Sequence, residues 1–225
     1  MKGGRKLKKI FIVLISLVLA ASFAGVSFAG IQGSVHDFSG FAFSGGQICL
    51  PCHTPHNGDT SVTEAPLWNH EVTTATYQIY SSPSMTATVN QPTGASKLCL
   101  SCHDGTVAVD SFGGETGSMF ISAFSADADL TTDLSNDHPI SFTYDADLAT
   151  ADPGLFDPTT KIVTIGSGQF SKTGTISEVM LSDNVLQCSS CHSVHNDFVA
   201  GTQISDALLK VSIGGSGLCL ACHNK

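Results

Sequence analysis

The sequence predicts a mostly coil fold with short helices and few short strands. Three observations predict it. Eight cysteines fall into four Cys-x-x-Cys-His units, with none left over. No long amphipathic periodicity runs along the chain. A Cys-free insert, 104–187, is rich in Ser, Thr, Gly and Asp, the composition of turns. Composition narrows the class further: of 225 residues, 42% are hydrophobic and 13% charged. That excludes a disordered, collagen-like or multi-span membrane protein. Five of the ten basic residues precede residue 30 with no acid among them, and the rest of the chain sets five lysines against 19 acids. Such a surface repels nucleic acid and anionic membranes, so neither is an expected partner.

The N-terminus reads as a secretory signal peptide over 1–29. Lys2 to Lys9 form a basic region, Ile10 to Ala24 are apolar apart from Ser16 and Ser22, and Ser27-Phe28-Ala29 places small residues before a cut at Gly30. The apolar run falls short of the roughly 20 residues that span a bilayer, so a retained anchor and stable membrane insertion are not expected. No Cys lies near the cut to carry a lipid. A single domain over 30–225 is then exported to the cell surface or beyond, with the periplasm as the alternative, because the signal accounts for one membrane only.

The four units are Cys49-Leu50-Pro51-Cys52-His53, Cys99-Leu100-Ser101-Cys102-His103, Cys188-Ser189-Ser190-Cys191-His192 and Cys219-Leu220-Ala221-Cys222-His223. Cys-x-x-Cys-His is the attachment pattern of c-type haem. Two thiols three positions apart on a helical turn share a face, where they form thioethers with the two haem vinyl groups. The following His lies beneath the ring and ligates iron. An even cysteine count in a secreted chain also suggests disulfides, and zinc ribbons use paired cysteines. Neither explains the four His. With His at 9 of 225 residues, chance would follow all four pairs with His only about a few times in a million. Four covalent haems are the expected cofactors, and the fold is expected to wrap a stacked four-haem chain that supplies much of the apolar core.

Beyond the proximal His53, His103, His192 and His223, five His remain for four distal places: His36, His56, His70, His138 and His195. Met, the rival axial ligand, occurs after residue 30 only as Met85, Met119 and Met180, in no recurring context. Bis-His ligation is therefore favoured. Cys52-His53-Thr54-Pro55-His56 and Cys191-His192-Ser193-Val194-His195 share the form Cys-His-x-x-His. A His three residues past the proximal ligand cannot curl to the far side of the same ring, but it reaches a neighbouring haem. At least one of the five is spare or crosses to another subunit, and the sequence does not say which.

Units 1 and 2 start 50 residues apart and units 3 and 4 start 31 apart, as two pairs around the insert. Lys161-Ile162-Val163-Thr164-Ile165 reads as a strand ended by Gly166-Ser167-Gly168, and Thr73 to Tyr80 as another. Helices are expected as single turns at each unit and over Asp206 to Val211. Ser125 to Asp137 reads as an acidic loop, solvated in preference to binding calcium.

On these units, Cys-His-Thr-Pro-His at 52–56, Leu67-Trp68-Asn69-His70 and Asp137-His138-Pro139, the chain resembles multihaem c-type cytochromes. More narrowly, it is similar to the tetrahaem outer-surface cytochromes of metal-respiring bacteria and archaea that polymerise into haem-lined filaments. The resemblance implies a coil-rich fold around a continuous haem stack. It also implies an axial His passed from one subunit to the next. Nine His for eight ligand places neither requires nor forbids such a crossing. No nucleophile–base arrangement, phosphate loop or carboxylate pair suggests an enzyme. The expected function is electron transfer, with further copies of itself and other redox cytochromes as partners. A haem reductase with one open iron is the less favoured alternative.

Overall fold

The computed structural model describes residues 30–62, 65–195 and 208–225. The signal segment expected over 1–29 lies outside the described residues. Among those described, no helix is long and apolar enough to cross a membrane. Coil and turn dominate, with five short α-helices, six 3₁₀ turns and four short strands among the described residues. The helices are α1 (Gly94–His103), α2 (Ala146–Ala151), α3 (Ile176–Val179), α4 (Cys188–Cys191) and α5 (Gly217–Cys222). The strands are β1 (Phe142–Thr143), β2 (Ile162–Ile165), β3 (Lys172–Thr175) and β4 (Val185–Leu186).

The expectation of one helical turn at every unit needs correction at two of them. Unit 1 is a turn without a helix: the Cys52 and His53 amides both donate to the Cys49 carbonyl, at 3.2 and 2.8 Å. Gly45 and Gly46 precede it with left-handed φ of 58° and 81°, and Thr54 is disfavoured in a helix by the Pro that follows. Unit 2 ends the ten-residue α1, because Ala95-Ser96-Lys97-Leu98 ahead of it contains no breaker. α1 stops at Asp104, and Gly105, at φ +70°, turns the chain away. A Cβ on Gly105 would meet the Asp129 carboxylate at 2.8 Å.

Two further expectations fail. Thr73 to Tyr80 is extended but forms no strand, with one bridge, Gln78 to Asp133. Side chains take the place of a strand partner: Gln91 Oε1 accepts from the Tyr77 amide at 2.8 Å and Gln91 Nε2 donates to the Tyr77 carbonyl at 2.9 Å. The segment expected as a helix over Asp206 to Val211 begins outside the described residues. From Leu208 onward it is a turn and a bridge, Leu209 pairing with His192.

The insert is more than loop, for it holds all four strands and most of the core. β1 pairs antiparallel with β4, Phe142 opposite Leu186. β2, where the sequence reads as a strand, pairs antiparallel with β3 from Ile162–Thr175 to Ile165–Lys172. The cross-strand Thr164 and Thr173 hydroxyls meet at 2.8 Å. A capping box starts α3: the Glu178 amide donates to Thr175 Oγ1 at 3.3 Å, and the Thr175 amide to Glu178 Oε2 at 2.8 Å. Phe142, Tyr144, Ile165, Ile176, Val179, Met180 and Leu186 pack with Ala221 of α5 into the largest apolar cluster. The Tyr144 hydroxyl, buried within it, lies 2.7 Å from the Phe156 carbonyl and 3.3 Å from that of Cys222, so the insert's core is tied directly to unit 4.

Candidate functional site

Each Cys-x-x-Cys-His unit is held by a strap of chain from elsewhere. The amide of Asn69 donates to the Cys52 carbonyl (2.9 Å), Leu130 to His103 (2.7 Å), Lys210 to Cys191 (2.8 Å) and Phe156 to Cys222 (2.8 Å). The straps also take the imidazoles. His53 Nδ1 donates to the Pro66 carbonyl at 3.0 Å and His103 Nδ1 to that of Ala128 at 2.8 Å. Among the other His, His138 Nδ1 donates to the Pro139 carbonyl at 2.9 Å. A proton fixed on Nδ1 leaves the Nε2 lone pair for a metal, the arrangement that ligating His adopts.

The structure brings motif His and distant His together. The His53 and His195 rings are stacked with centroids 6.1 Å apart. His103 lies 6.1 Å from His36, and His223 lies 6.4 Å from His138. An ion bound between two imidazole nitrogens at about 2 Å from each separates ring centroids by about 6 Å. Aromatic packing gives similar distances, so the selection is the informative part. Three motif His each take one of the five remaining His, all far away in sequence. His195 opposes unit 1 and not its own unit 3. His36 is half-buried and held neutral, its pKa lowered to about 4 by burial, then by His103, His192 and His195. Its Nδ1 is buried without a hydrogen-bond partner.

His56 and His70 stand apart from these pairs. His56 is exposed, on the rim of a cavity of about 700 Å³ shared with Trp68, His70 and Glu115. His70 is buried. Its Nδ1 faces the Glu71 carbonyl at 2.8 Å, its Nε2 faces the Ala108 carbonyl at 2.9 Å, and Cys102 Sγ lies 3.4 Å from Nε2. Trp68 packs edge-on against His53 at 5.9 Å, and its Nε1 is a buried donor with no partner. His192 joins Cys191, Cys219, Cys222, His223 and His138 around a second cavity of about 360 Å³. Phe142, Leu155, Met180 and Leu186 make its wall apolar.

All eight cysteines are free, with no disulfide. Thiols of successive units influence one another. Burial first, then Cys52 of unit 1 and Asp104, raises the Cys102 thiol of unit 2. The Cys99 thiol donates to Cys188, holding Cys99 protonated and easing Cys188 toward thiolate, so units 2 and 3 touch. Burial, then Cys191, pushes Cys222 up to about 12, joining units 3 and 4. Burial, then Cys49, pushes Cys52 up to about 11. Burial that penalises a thiolate costs a thioether nothing, since a thioether has neither proton nor charge. Among the described residues no three His, Cys, Asp or Glu side chains converge on a metal-holding point. The imidazoles come in pairs, unlike the four-donor sets of structural zinc.

Sequence reasoning missed the clasp between units 2 and 3. Gln187 Oε1 accepts from the Ser96 hydroxyl, from the Ser96 amide at 3.3 Å and from the Ser141 hydroxyl at 3.1 Å. Ser96 Oγ in turn accepts from the Cys188 amide at 3.0 Å. Nothing in a lone Ser and a Gln 91 residues later signals this. It also missed the aromatic cluster beside His36, where Phe41 lies 5.5 Å from Phe43 and 5.0 Å from Phe124. The run Phe38-Ser39-Gly40-Phe41-Ala42-Phe43 was its available signal. The acidic loop is built of local turns. Asp133 Oδ1 accepts from the Ser135 amide and hydroxyl at 3.0 and 2.6 Å, and Asp129 Oδ1 from the Thr131 amide at 3.1 Å. Neither protein-family models nor curated proteins match this chain.

Proposed function

We propose that the chain is an exported tetrahaem c-type cytochrome that carries electrons along four closely spaced bis-His haems. The three imidazole pairs carry this reading, because each joins a Cys-x-x-Cys-His histidine to one of the five others at about 6 Å. The donor set fits the group. Cys49, Cys52, Cys99, Cys102, Cys188, Cys191, Cys219 and Cys222 would hold the porphyrins as thioethers. His53, His103, His192 and His223 would bind iron from one side, and His195, His36 and His138 would oppose units 1, 2 and 4. Haem iron supplies reversible one-electron transfer at a potential set by its ligands and surroundings. The chain's own residues hold the His53, His103 and His138 imidazoles through Nδ1 and partly bury six of the eight sulfurs.

His56 and His70 are the other two members of the distal pool. An exposed His56 suits a ligand lent to a neighbouring copy, and a head-to-tail contact of that kind does not close and so builds a filament. We take extracellular assembly as the fuller form of the proposal, with a monomeric periplasmic carrier as the alternative. The test is His195→Ala in the mature protein. One low-spin haem becomes high-spin, at unit 1. Conversion at unit 3 overturns the pairing, and a colourless secreted product overturns the function.

A further inference from the structure

The residue after the motif His differs among the four units: Thr54, Asp104, Ser193 and Asn224. Only unit 2 places an acid there, and the fold buries it. Asp104 is 3% exposed. Its Oδ1 accepts from the Thr106 amide at 2.7 Å and the Thr106 hydroxyl at 2.8 Å. Its Oδ2 accepts from the Thr73 hydroxyl at 2.7 Å and the Tyr77 hydroxyl at 2.6 Å. Four donors meet the carboxylate, two at each oxygen. The donors are neutral, so they disperse the charge without cancelling it. Burial and the hydrogen bond to Asp104 push the Tyr77 phenol well above its ordinary range, which keeps it a donor. Asp104 follows His103 directly, and its amide donates to the Leu100 carbonyl inside unit 2 at 2.9 Å.

We infer that Asp104 is a positioned negative charge that lowers the reduction potential of the haem at unit 2 relative to the other three. The inference rests on the function proposed above. A ferric porphyrin core with neutral axial ligands carries one positive charge, and the ferrous core carries none. A fixed anion in a low-dielectric setting therefore favours the oxidised form. Thr73, Tyr77 and Thr106 are positioning residues that act through Asp104. The row is uneven as a result: at equilibrium a partly reduced molecule keeps its electrons on haems 1, 3 and 4.

The test is a spectroelectrochemical titration of the four-haem protein, with each midpoint assigned to its site by NMR. Asp104→Asn moves one midpoint upward, at unit 2, and leaves three in place. Tyr77→Phe keeps the charge but removes a donor that disperses it, and moves the same midpoint downward. Four unchanged midpoints, four equal shifts, or a shift at another unit overturn the inference while leaving the tetrahaem reading intact. Should Asp104→Asn fail to fold, Tyr77→Phe decides: a downward shift at unit 2 supports the inference, and none overturns it. A wild-type protein without haem removes the proposed function and this inference together.

Discussion

Units 1 and 2 sit in one kind of surroundings and residues 140–186 form another. In the latter, aliphatic and aromatic side chains make one cluster, with Ile176 at 0% and Ile165 at 2% exposed. Around units 1 and 2 the apolar clusters are small: Val62, Ala65 and Leu98 in one, Tyr77, Leu100 and Leu134 in the other. The groups most deeply buried there include Thr73, Ser101, Asp104, Ser111 and His70. Each is hydrogen-bonded, as when Ser101 Oγ accepts from the Thr73 amide at 3.0 Å. Apolar burial drives folding over 140–186. Hydrogen bonds, worth about 1 kcal/mol each net, fix shape around units 1 and 2 without driving collapse. A region built that way is suited to holding a large apolar group that completes its core.

The contrast can be broken experimentally. Under the proposed function, the largest effect is expected when the full chain is made in cells that lack haem. Amide exchange then loses protection over 49–53 and 99–130 and retains it over 142–186. Uniform loss would make the two regions one cooperative unit. Ile176→Ala removes a wholly buried side chain and should cost about 3 kcal/mol in denaturant unfolding. A cost under about 1 kcal/mol would mean that this cluster is not the stabilising core. Ser96→Ala leaves the Cys188 amide and Gln187 Oε1 short of a partner, for a loss of about 2 kcal/mol. It should also weaken the coupling of units 2 and 3 in a double-mutant cycle with Gln187→Ala. Thr175→Ala removes the cap of α3 and the contact with the Ser177 hydroxyl and should cost about 1 kcal/mol.

Legibility followed sequence distance. The four units and the β2 strand could be read because their signals lie within five residues. The straps could not, since each is coil in sequence and gains its role from a carbonyl elsewhere. Thr73 to Tyr80 reads as a strand because its residues suit one, yet Gln91 and Ser101 side chains occupy its backbone groups. Asp104-Gly105-Thr106 carries a turn signature, but its sequence does not show that Thr73 and Tyr77 close over the carboxylate.

The sequence by itself determined where cysteine and histidine recur, and that each His amide folds back on the first Cys of its unit. His53 to Cys49, His192 to Cys188 and His223 to Cys219 do so at 2.8, 3.0 and 2.8 Å. Such turns close over a few residues and need no distant partner. Only the tertiary structure decided which imidazoles face one another, the order of the four units in space, and the burial of one acid beside unit 2. Those depend on long loops closing, and loop-closure entropy varies too slowly with length to mark one partner over another.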